Sequence, residues 1–319
     1  MTIAIEFRHV KKEYQAQNVI QDLNLAINKG ELFVLVGESG SGKTTTLKMI
    51  NRLEKLNAGE IIINGNDIAN LSNRELRQDI GYVLQQIALF PTMTVAQNIA
   101  VIPEMKGMNK SKINEITHEL LMDVGLDPKS YWNRKPNELS GGEQQRIGIL
   151  RAIAAQPDIV LMDEPFSALD PLSRQQLQNL VIRMHDKYHS TIVFVTHDMN
   201  EALKLGDRVG IMSKGEIVQV DTPTQIAQNP TNDFVRNFFS ASRAKNIYDI
   251  YLGRVGIVQG YLTEKPIGEI KTLDEQATLR DTFAVLAEYE YVAVTDKTQI
   301  LGYLNRKQII AYLTQHEKD

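Results

Sequence analysis

Short apolar runs, separated by polar or amphipathic segments, organise roughly the first 240 residues of the chain. Apolar and polar residues alternate in two early segments and predict half-exposed antiparallel strands, with the apolar positions at Ile3, Ile5, Phe7, Leu23, Leu25 and Ile27. Later runs predict buried strands at residues 32–36, 80–84, 159–162, 192–195 and 209–212. Because helical patterns separate these runs, they favour a mainly parallel sheet with helices on both faces.

Helical periodicity dominates the middle of this region. Helices are predicted at about residues 43–53, 94–105 and 111–124. In the last of these, Ile113, Ile116 and Leu120 lie on one face, as expected for a helix that packs on a core. We therefore expect a helical insertion at about 86–150 within a domain that covers residues 1–240.

The pattern changes after residue 240, where a polar stretch predicts a linker over residues 241–254. Beyond it the chain has one β-α-β-β-α pattern: a strand-like start and a helix within 272–286, strands at 291–295 and 300–304, and a helix at 306–313. A short apolar run at 255–258 suggests one more strand. We expect a small separate α+β domain at 255–319.

Composition narrows the classes of function. The 319-residue chain has a net charge of −4 and a pI near 5.9, so we expect no nucleic-acid partner. It contains no cysteine, which excludes disulfides and thiolate metal sites. No apolar stretch approaches the roughly 20 residues of a spanning helix, and the N-terminus lacks the core of a signal peptide. Any membrane association is therefore expected through a partner.

A phosphate-binding motif follows the predicted strand at 32–36 and precedes a predicted helix. It has the pattern G-x-x-x-x-G-K-[ST] and consists of Gly37, Glu38, Ser39, Gly40, Ser41, Gly42, Lys43 and Thr44. Glycines let backbone N–H groups close around phosphates, and the helix adds unpaired donors and the positive end of its dipole. We expect Lys43 to reach the β- and γ-phosphates and the Thr44 hydroxyl to ligate Mg²⁺.

Two later strands end in groups that suit hydrolysis. The strand at 159–162 runs into Asp163, a carboxylate suited to Mg²⁺, and Glu164, a candidate base for the attacking water. The strand at 192–195 is followed closely by His197. A single histidine is often a capping or surface residue, but beside a phosphate-binding loop we favour a hydrogen bond to the γ-phosphate.

A second Gly- and Ser-rich helix start lies at residues 139–146, Leu-Ser-Gly-Gly-Glu-Gln-Gln-Arg. Ser140 and Glu143 have the spacing of a capping box, and a helix N-terminus of this kind is also an anion site. One active site does not need two such sites. The second one therefore suggests a composite site shared between two chains.

With this segment, residues 1 to about 240 closely resemble the ABC ATPase family. Residues 139–146 match its signature motif, Gln85 matches the glutamine that senses Mg²⁺ and the attacking water, and Tyr14 matches the aromatic residue that stacks on adenine. Residues Ser167, Ala168, Leu169 and Asp170 match the loop that crosses the dimer interface. The resemblance implies a P-loop α/β fold of ABC type with an antiparallel β subdomain and a helical subdomain, and ATP and Mg²⁺ as cofactors.

The resemblance also implies partners. In a head-to-tail homodimer, Ser140, Gly141 and Gly142 of one subunit would close on the γ-phosphate held by the other subunit's loop, which extends to Thr45. The groove near Gln85 would receive a helix of an integral membrane permease. The chain would then act at the cytoplasmic face of the cell membrane, with an extracellular substrate-binding protein as an indirect partner.

Two stretches, at 81–99 and 134–157, resemble the importers of quaternary amines such as glycine betaine, carnitine and choline. The resemblance implies ATP-driven uptake of such a solute. A soluble ABC protein acting on ribosomes or DNA is the alternative, but such proteins fuse two ATPase cores or insert a long coiled coil, and neither is found. A regulatory protein without turnover is disfavoured because Glu164, the expected base, is present.

The C-terminal segments at 291–296 and 300–306 resemble half of a CBS module. Two interpretations stay open: a small packing or dimerisation domain, and a regulatory domain that senses ionic strength or an adenine nucleotide. Asn305 and Gln308 stand where nucleotide-binding repeats usually carry Thr and Asp. With one repeat, a complete module would require pairing across a homodimer.

Overall fold

The computed structural model describes residues 2–15, 17–167, 169–244, 250–296 and 298–316. The chain divides into two compact units, Met1–Arg236 and Asn237–Asp319. The strands of the first unit are β1 (Ile3–Tyr14), β2 (Gln17–Asn28), β3 (Leu32–Gly37), β4 (Ala58–Ile63), β5 (Asn66–Asp67), β6 (Ile80–Val83), β7 (Ile159–Asp163), β8 (Thr191–Thr196), β9 (Arg208–Ser213) and β10 (Glu216–Asp221).

A six-stranded sheet in the order β10-β9-β3-β8-β7-β6 positions the functional residues. Strands β9, β3, β8, β7 and β6 pair in parallel, and β10 adds an antiparallel edge. Every residue of β3, β7 and β8 is buried, which explains their continuous apolar sequences. Because parallel strands share one carboxyl edge, the segments after β3, β6, β7 and β8 meet there.

A second sheet, in the antiparallel order β2-β1-β4-β5, confirms the alternating pattern of the first residues. Ile5 pairs with Ile27 on one side and with Ile63 on the other, and all three side chains are buried. Their faces join Phe33 and Leu35 of β3 in one apolar cluster. Burying each such side chain contributes about 1.5–3 kcal/mol, so the two sheets stabilise each other.

Helices of the first unit are α1 (Lys43–Ile50), α2 (Asn73–Gln78), α3 (Val95–Met105), α4 (Lys110–Asp123), α5 (Pro128–Tyr131), α6 (Gly141–Ile153), α7 (Pro171–Tyr188), α8 (Met199–Leu205) and α9 (Pro223–Gln228). Helix α1 ends at Ile50, earlier than predicted, where Arg52 adopts a φ of 54° and its guanidinium donates to the Ile68 carbonyl at 2.9 Å. Helix α4 buries Ile113, Ile116 and Leu120, as its periodicity predicts.

The second unit contains α11 (Leu252–Gln259), β11 (Lys271–Asp274), α12 (Leu279–Glu288), β12 (Tyr291–Thr295), β13 (Ile300–Asn305) and α13 (Arg306–His316), while α10 (Asp233–Ala244) crosses the boundary between the units. Strand β11 is parallel to β12, and β12 is antiparallel to β13. The predicted β-α-β-β-α order is therefore confirmed. The core of this unit includes Leu252, Val255, Val292, Leu304 and Tyr312.

Two expectations for this region need correction. Residues 255–258 lie within α11 and not in a strand, because Leu252 and Val255 are buried at helical spacing while Ile257 and Val258 are exposed. The stretch 241–254, predicted as a linker, contains the last residues of α10 and the first of α11. Its residues 245–249 lie outside the described residues.

Candidate active site

The loop between β3 and α1 brings the phosphate-binding motif to the carboxyl edge of the parallel sheet. Gly40 and Gly42 have φ values of 79° and 106°, which glycine adopts without strain. A Cβ on Gly37 would lie 2.1 Å from the Met212 carbonyl oxygen, so the close approach to β9 requires glycine there. Glu38, Ser39 and Gly40 are exposed, whereas Ser41, Gly42 and Lys43 are buried.

Lys43 is held inside this loop. Its ammonium donates to the carbonyl oxygens of Gly37 and Glu38, both at 2.8 Å, and lies 3.4 Å from Ser41 Oγ. Burial lowers the pKa of Lys43, while nearby carboxylates, Glu164 first, act in the opposite direction. The loop thus presents a buried positive charge beside its backbone.

The N-terminus of α1 suits an anion. Its N-cap is Gly42, and none of the described side chains caps the helix. Thr44 and Thr45, in the first turn, are half-buried. Unpaired backbone N–H groups and the helix dipole at this point favour bound phosphate. The loop and the helix start therefore fit the phosphates of a nucleotide.

Thr44 and Asp163 come together as the sequence predicts for a magnesium site. The Thr44 hydroxyl donates to Asp163 Oδ1 at 2.8 Å. Burial raises the pKa of Asp163, and the Thr44 hydrogen bond opposes that effect. A hydroxyl and a carboxylate beside a phosphate-binding loop are the oxygen donors that Mg²⁺ prefers. These two residues fit Mg²⁺ bound together with nucleotide.

Glu164, His197 and Gln85 meet at a single carboxylate oxygen. His197 Nδ1 lies 3.1 Å from Glu164 Oε2, and the Gln85 amide donates to the same oxygen at 3.5 Å. Glu164 has a φ of 42°, an uncommon backbone conformation for a residue with a side chain. Such backbone outliers concentrate at functional sites. A positioned carboxylate of this kind can accept a proton from a water molecule.

Tyr14 lies at the end of β1, and its ring is near the start of α1. The residue is 39% exposed, and the Lys12 ammonium lies 4.3 Å from the ring centroid. Burial and then the Glu54 carboxylate raise the pKa of Tyr14 to about 12, while the Thr45 hydroxyl lowers it. The proximity to Thr45 places an aromatic surface beside the phosphate-binding helix, where adenine stacking was predicted.

The signature segment forms the N-terminus of α6, and its capping box is present. Ser140 Oγ accepts from the Glu143 N–H at 3.4 Å, and Glu143 Oε2 accepts from the Ser140 N–H at 2.7 Å. The Tyr131 hydroxyl donates to Glu143 Oε1 at 2.5 Å. Ser140 and Gly141 are exposed, and Gly142 is half-buried. The predicted capping box is thus confirmed, and the role of this segment in binding a nucleotide stays a prediction.

Asp170 is the N-cap of α7. Its Oδ1 accepts from the backbone N–H groups of Leu172 and Ser173 at 3.1 and 3.0 Å. Hydrogen bonding, with Ser173 first, lowers the pKa of Asp170. Ser167, at the start of the same loop, donates from Oγ to the Glu164 carbonyl at 3.1 Å. Ala168 lies outside the described residues, and the predicted place of this loop in a dimer interface stays a prediction.

Sequence reasoning missed two residues near the site. Burial and then the Asp163 charge raise the pKa of Tyr82, which lies on β6 beside Asp163. Glu201, on α8, is a buried carboxylate that accepts from the Thr196 hydroxyl at 2.6 Å. An acidic residue four positions after His197 was the available signal for Glu201, but its burial depends on the packing of α8 against α7.

Comparison with known proteins places this geometry in a family. Residues 20–167 match the model described as ABC transporter. The choline transport ATP-binding protein OpuBA of Bacillus subtilis is 49% identical over 94% of this chain and 78% of its own length. The osmoprotectant import ATP-binding protein OsmV of Salmonella typhimurium is 40% identical over 94% of this chain and 77% of its length.

A solved structure supports the same assignment. The ATP-binding cassette MJ0796, a dimer in a post-hydrolysis state bound to ADP and Pi, is 33% identical, with a TM-score of 0.62 over 69% of this chain and 98% of that one. This match to a cassette bound to ADP and Pi agrees with the phosphate-binding and carboxylate geometry described above. The chain belongs to the family of ABC transporter ATP-binding proteins, and it is an ATPase of that type.

Proposed function

We propose that this chain is the ATP-hydrolysing subunit of an importer of betaine-type solutes and acts at the cytoplasmic face of a membrane through a permease. One observation carries the catalytic part: a single Glu164 oxygen is shared by His197 and Gln85, at the sheet edge where Thr44 meets Asp163. The relatives supply the solute class, since their names specify choline and osmoprotectants.

Each part of the site has a separate task in this proposal. The backbone N–H groups after β3 and the Lys43 ammonium hold the nucleotide phosphates. Thr44 and Asp163, together with Gln85, would hold Mg²⁺, which would neutralise phosphate charge when it is bound. Glu164 accepts the proton of the attacking water, while Gln85 and His197 hold the Glu164 carboxylate in place. The bond from His197 to the γ-phosphate and the contact of Gln85 with Mg²⁺ stay predictions. Tyr14 offers its exposed ring to adenine.

The nucleotide site would be completed by a second copy of the chain. Ser140 and Gly141 are exposed, and the Ser140 hydroxyl hydrogen remains available for donation because its oxygen serves as the cap. Together with Gly142 they offer donors to a γ-phosphate held by the partner's loop. Asp170, fixed as the N-cap of α7, would lie at the same homodimer interface.

A permease would dock in an apolar groove beside the catalytic cluster. A cavity of about 500 Å³ is lined mainly by apolar side chains, among them Leu84, Phe90, Val101, Ile102 and Met105. Phe90 and Met105 are 45% and 73% exposed. Leu84 immediately precedes Gln85, so an apolar helix of a permease in this groove would act on the catalytic glutamine through one peptide bond. None of the helices that the structure describes is long and apolar enough to cross a membrane.

The C-terminal unit is proposed as a CBS-like regulatory or dimerisation domain at about 255–319. Asn305 and Gln308 cap each other at the start of α13: Gln308 N–H donates to Asn305 Oδ1 at 2.9 Å, and Asn305 N–H donates to Gln308 Oε1 at 3.1 Å. Gln308 also donates to the Gly260 carbonyl at 2.7 Å. These side chains serve the fold of the unit, which favours a structural use of the two positions over ribose binding.

The test is uptake of radiolabelled choline and glycine betaine in cells that lack other uptake systems and produce this chain with its permease and binding protein. We expect uptake that requires this chain and is lost in the Glu164→Gln variant. The matched control is Glu216→Gln, which changes an exposed glutamate on β10. ATP hydrolysis without uptake of either solute would remove betaine-type compounds from the proposal and leave the ATPase assignment intact.

A further inference from the structure

A buried carboxylate outside the catalytic cluster connects two segments that contact Glu164. One is the turn that carries His197, and the other is the loop that follows Glu164. Glu201 lies in the first turn of α8 and is 6% exposed. Burial raises its pKa, and the Thr196 hydrogen bond acts in the opposite direction. A buried carboxylate is costly unless hydrogen bonds and charges compensate it, so its partners indicate its purpose.

On one side, Glu201 holds the turn that carries His197. Its Oε2 accepts from the Thr196 hydroxyl at 2.6 Å, and Thr196 Oγ1 accepts from the Asp198 backbone N–H at 3.0 Å. These two bonds fix the residues immediately before and after His197. The histidine in turn lies 3.1 Å from Glu164 Oε2.

On the other side, Glu201 faces α7, and Arg174 of α7 contacts the loop that follows Glu164. Glu201 Oε1 lies 3.9 Å from Arg174 Nε and accepts from the Gln178 amide at 3.5 Å. The Arg174 guanidinium also donates through Nη2 to the Leu169 carbonyl at 3.2 Å. Leu169 belongs to the loop in which Ser167 donates to the Glu164 carbonyl at 3.1 Å.

We propose that Glu201 is a positioning residue that couples Ser167 and Leu169, on the loop after Glu164, to His197, so that both sides hold Glu164 in its reactive place. The relay runs from the Leu169 carbonyl through Arg174, Glu201 and Thr196 to the backbone around His197. It touches neither the P-loop residues nor Tyr14. Loss of the relay should therefore slow the chemical step without weakening nucleotide binding. The proposal rests on the ATPase activity and is independent of the transported solute.

The experiment measures kcat and KM for ATP in the purified full-length chain and in four single variants. Thr196→Val removes the hydroxyl at constant shape, Arg174→Met removes the charge, and Glu201→Ala and Glu201→Gln remove the carboxylate. We expect Thr196→Val and Glu201→Ala to lower kcat by about tenfold, with KM within about twofold of wild type. Glu201→Gln should retain more activity than Glu201→Ala, because an amide oxygen can still accept from Thr196.

A matched control separates positioning from stability. Thr191 is also buried on β8, and its hydroxyl accepts from the Gly30 N–H at 3.0 Å, away from the catalytic cluster. Thr191→Val should lower the thermal midpoint about as much as Thr196→Val while leaving kcat unchanged. Equal losses of kcat in both threonine variants, or a kcat above about a third of wild type in Thr196→Val, would overturn the proposal.

A double variant tests the relay as a unit and does not depend on the folding of the Glu201 variants. If Arg174 and Thr196 act through the same carboxylate, the loss of kcat in Arg174→Met/Thr196→Val should be smaller than the product of the two single losses. A loss equal to that product would show that the two residues act independently, and the relay would then be wrong.

Discussion

Two helix N-termini in this protein share Gly- and Ser-rich sequences but differ in how their backbone donors are treated. Helix α1 begins after Gly42, has no side-chain cap among the described residues, and starts with a buried lysine, Lys43. Helix α6 begins after Ser140 and is capped reciprocally by Ser140 and Glu143. Both starts look like anion sites in the sequence. The structure shows side-chain caps at the start of α6 and, among the described residues, none at the start of α1.

The difference indicates which of the two helix starts binds the nucleotide phosphates and which one assists that binding. An uncapped start beside a buried cation gains most from a ligand, because phosphate oxygens satisfy donors that otherwise lack partners. A capped start is stable alone and offers only the remaining donors near Ser140, Gly141 and Gly142. We therefore expect α1 to account for nucleotide affinity and α6 to contribute when two subunits close.

The largest effect should come from Glu164, whose charge acts on Lys43 at the start of α1. Glu164→Gln should lower ATP turnover by about 10²–10⁴-fold while ATP affinity is retained, since a general base contributes on that scale. With ATP the variant should accumulate as a closed dimer, visible by light scattering. Glu143→Gln is the matched control, because glutamine also serves in a capping box and should preserve most of the turnover. Wild-type turnover in Glu164→Gln would remove Glu164 from the role of base.

The affinity for ATP should depend on the start of α1 and not on the start of α6 of the same subunit. Lys43→Ala should weaken ATP binding by at least about 100-fold, because the loss of charge-assisted hydrogen bonds to phosphate costs on the order of 3 kcal/mol. Ser140→Ala should leave the affinity of the monomer unchanged. Calorimetric titration with ATP under conditions that prevent turnover checks both. A loss of monomer affinity in Ser140→Ala would place the signature segment in its own subunit's site and contradict the comparison.

Sequence alone predicted the phosphate-binding loop before α1 and the capping box of α6, and less of the rest of the molecule. Asp163, Glu164 and His197 could be grouped because they stand at or just after the ends of parallel strands, which share an edge. Gln85 was singled out by its resemblance to the glutamine of the ABC ATPase family. Glu201 could not be predicted, since two of its partners, Arg174 and Gln178, are supplied by α7, which packs against α8 only in the folded chain. The short apolar run at 255–258 was assigned to the wrong element because four residues do not distinguish a strand period from a helical one.

A mixing experiment tests whether the two ends meet across subunits. Chains carrying Lys43→Ala and chains carrying Ser140→Arg, each inactive alone, are combined and heterodimers are verified. One composite site then carries both changes and the other carries neither, so partial ATPase activity should return. Combining Lys43→Ala with Glu164→Gln puts one defect in each site and should restore nothing. Recovery in both mixtures, or in neither, would contradict a shared site in which one intact copy suffices.

The smallest expected effect concerns the extra bond that stabilises the capped end. Tyr131→Phe removes the hydrogen bond to Glu143 Oε1, and we expect it to lower the free energy of unfolding by about 0.5–1 kcal/mol at pH 7, a modest value because the pair is partly exposed. Urea unfolding of both proteins measures the difference. The start of α1, by contrast, has no side-chain cap among the described residues.

The pH dependence of that difference follows from the two pKa shifts. The Tyr131 hydrogen bond, opposed by burial, lowers the pKa of Glu143, so its contribution is present above about pH 4.5 and is lost as pH falls through the lower folded value. The same bond raises the pKa of Tyr131, so its contribution is present below about pH 10 and is lost as pH rises further. The stability difference between wild type and Tyr131→Phe should thus be constant near neutrality and shrink at about pH 4. A difference that stays constant down to pH 4 would show that the tyrosine stabilises α6 by packing and not through the Glu143 carboxylate.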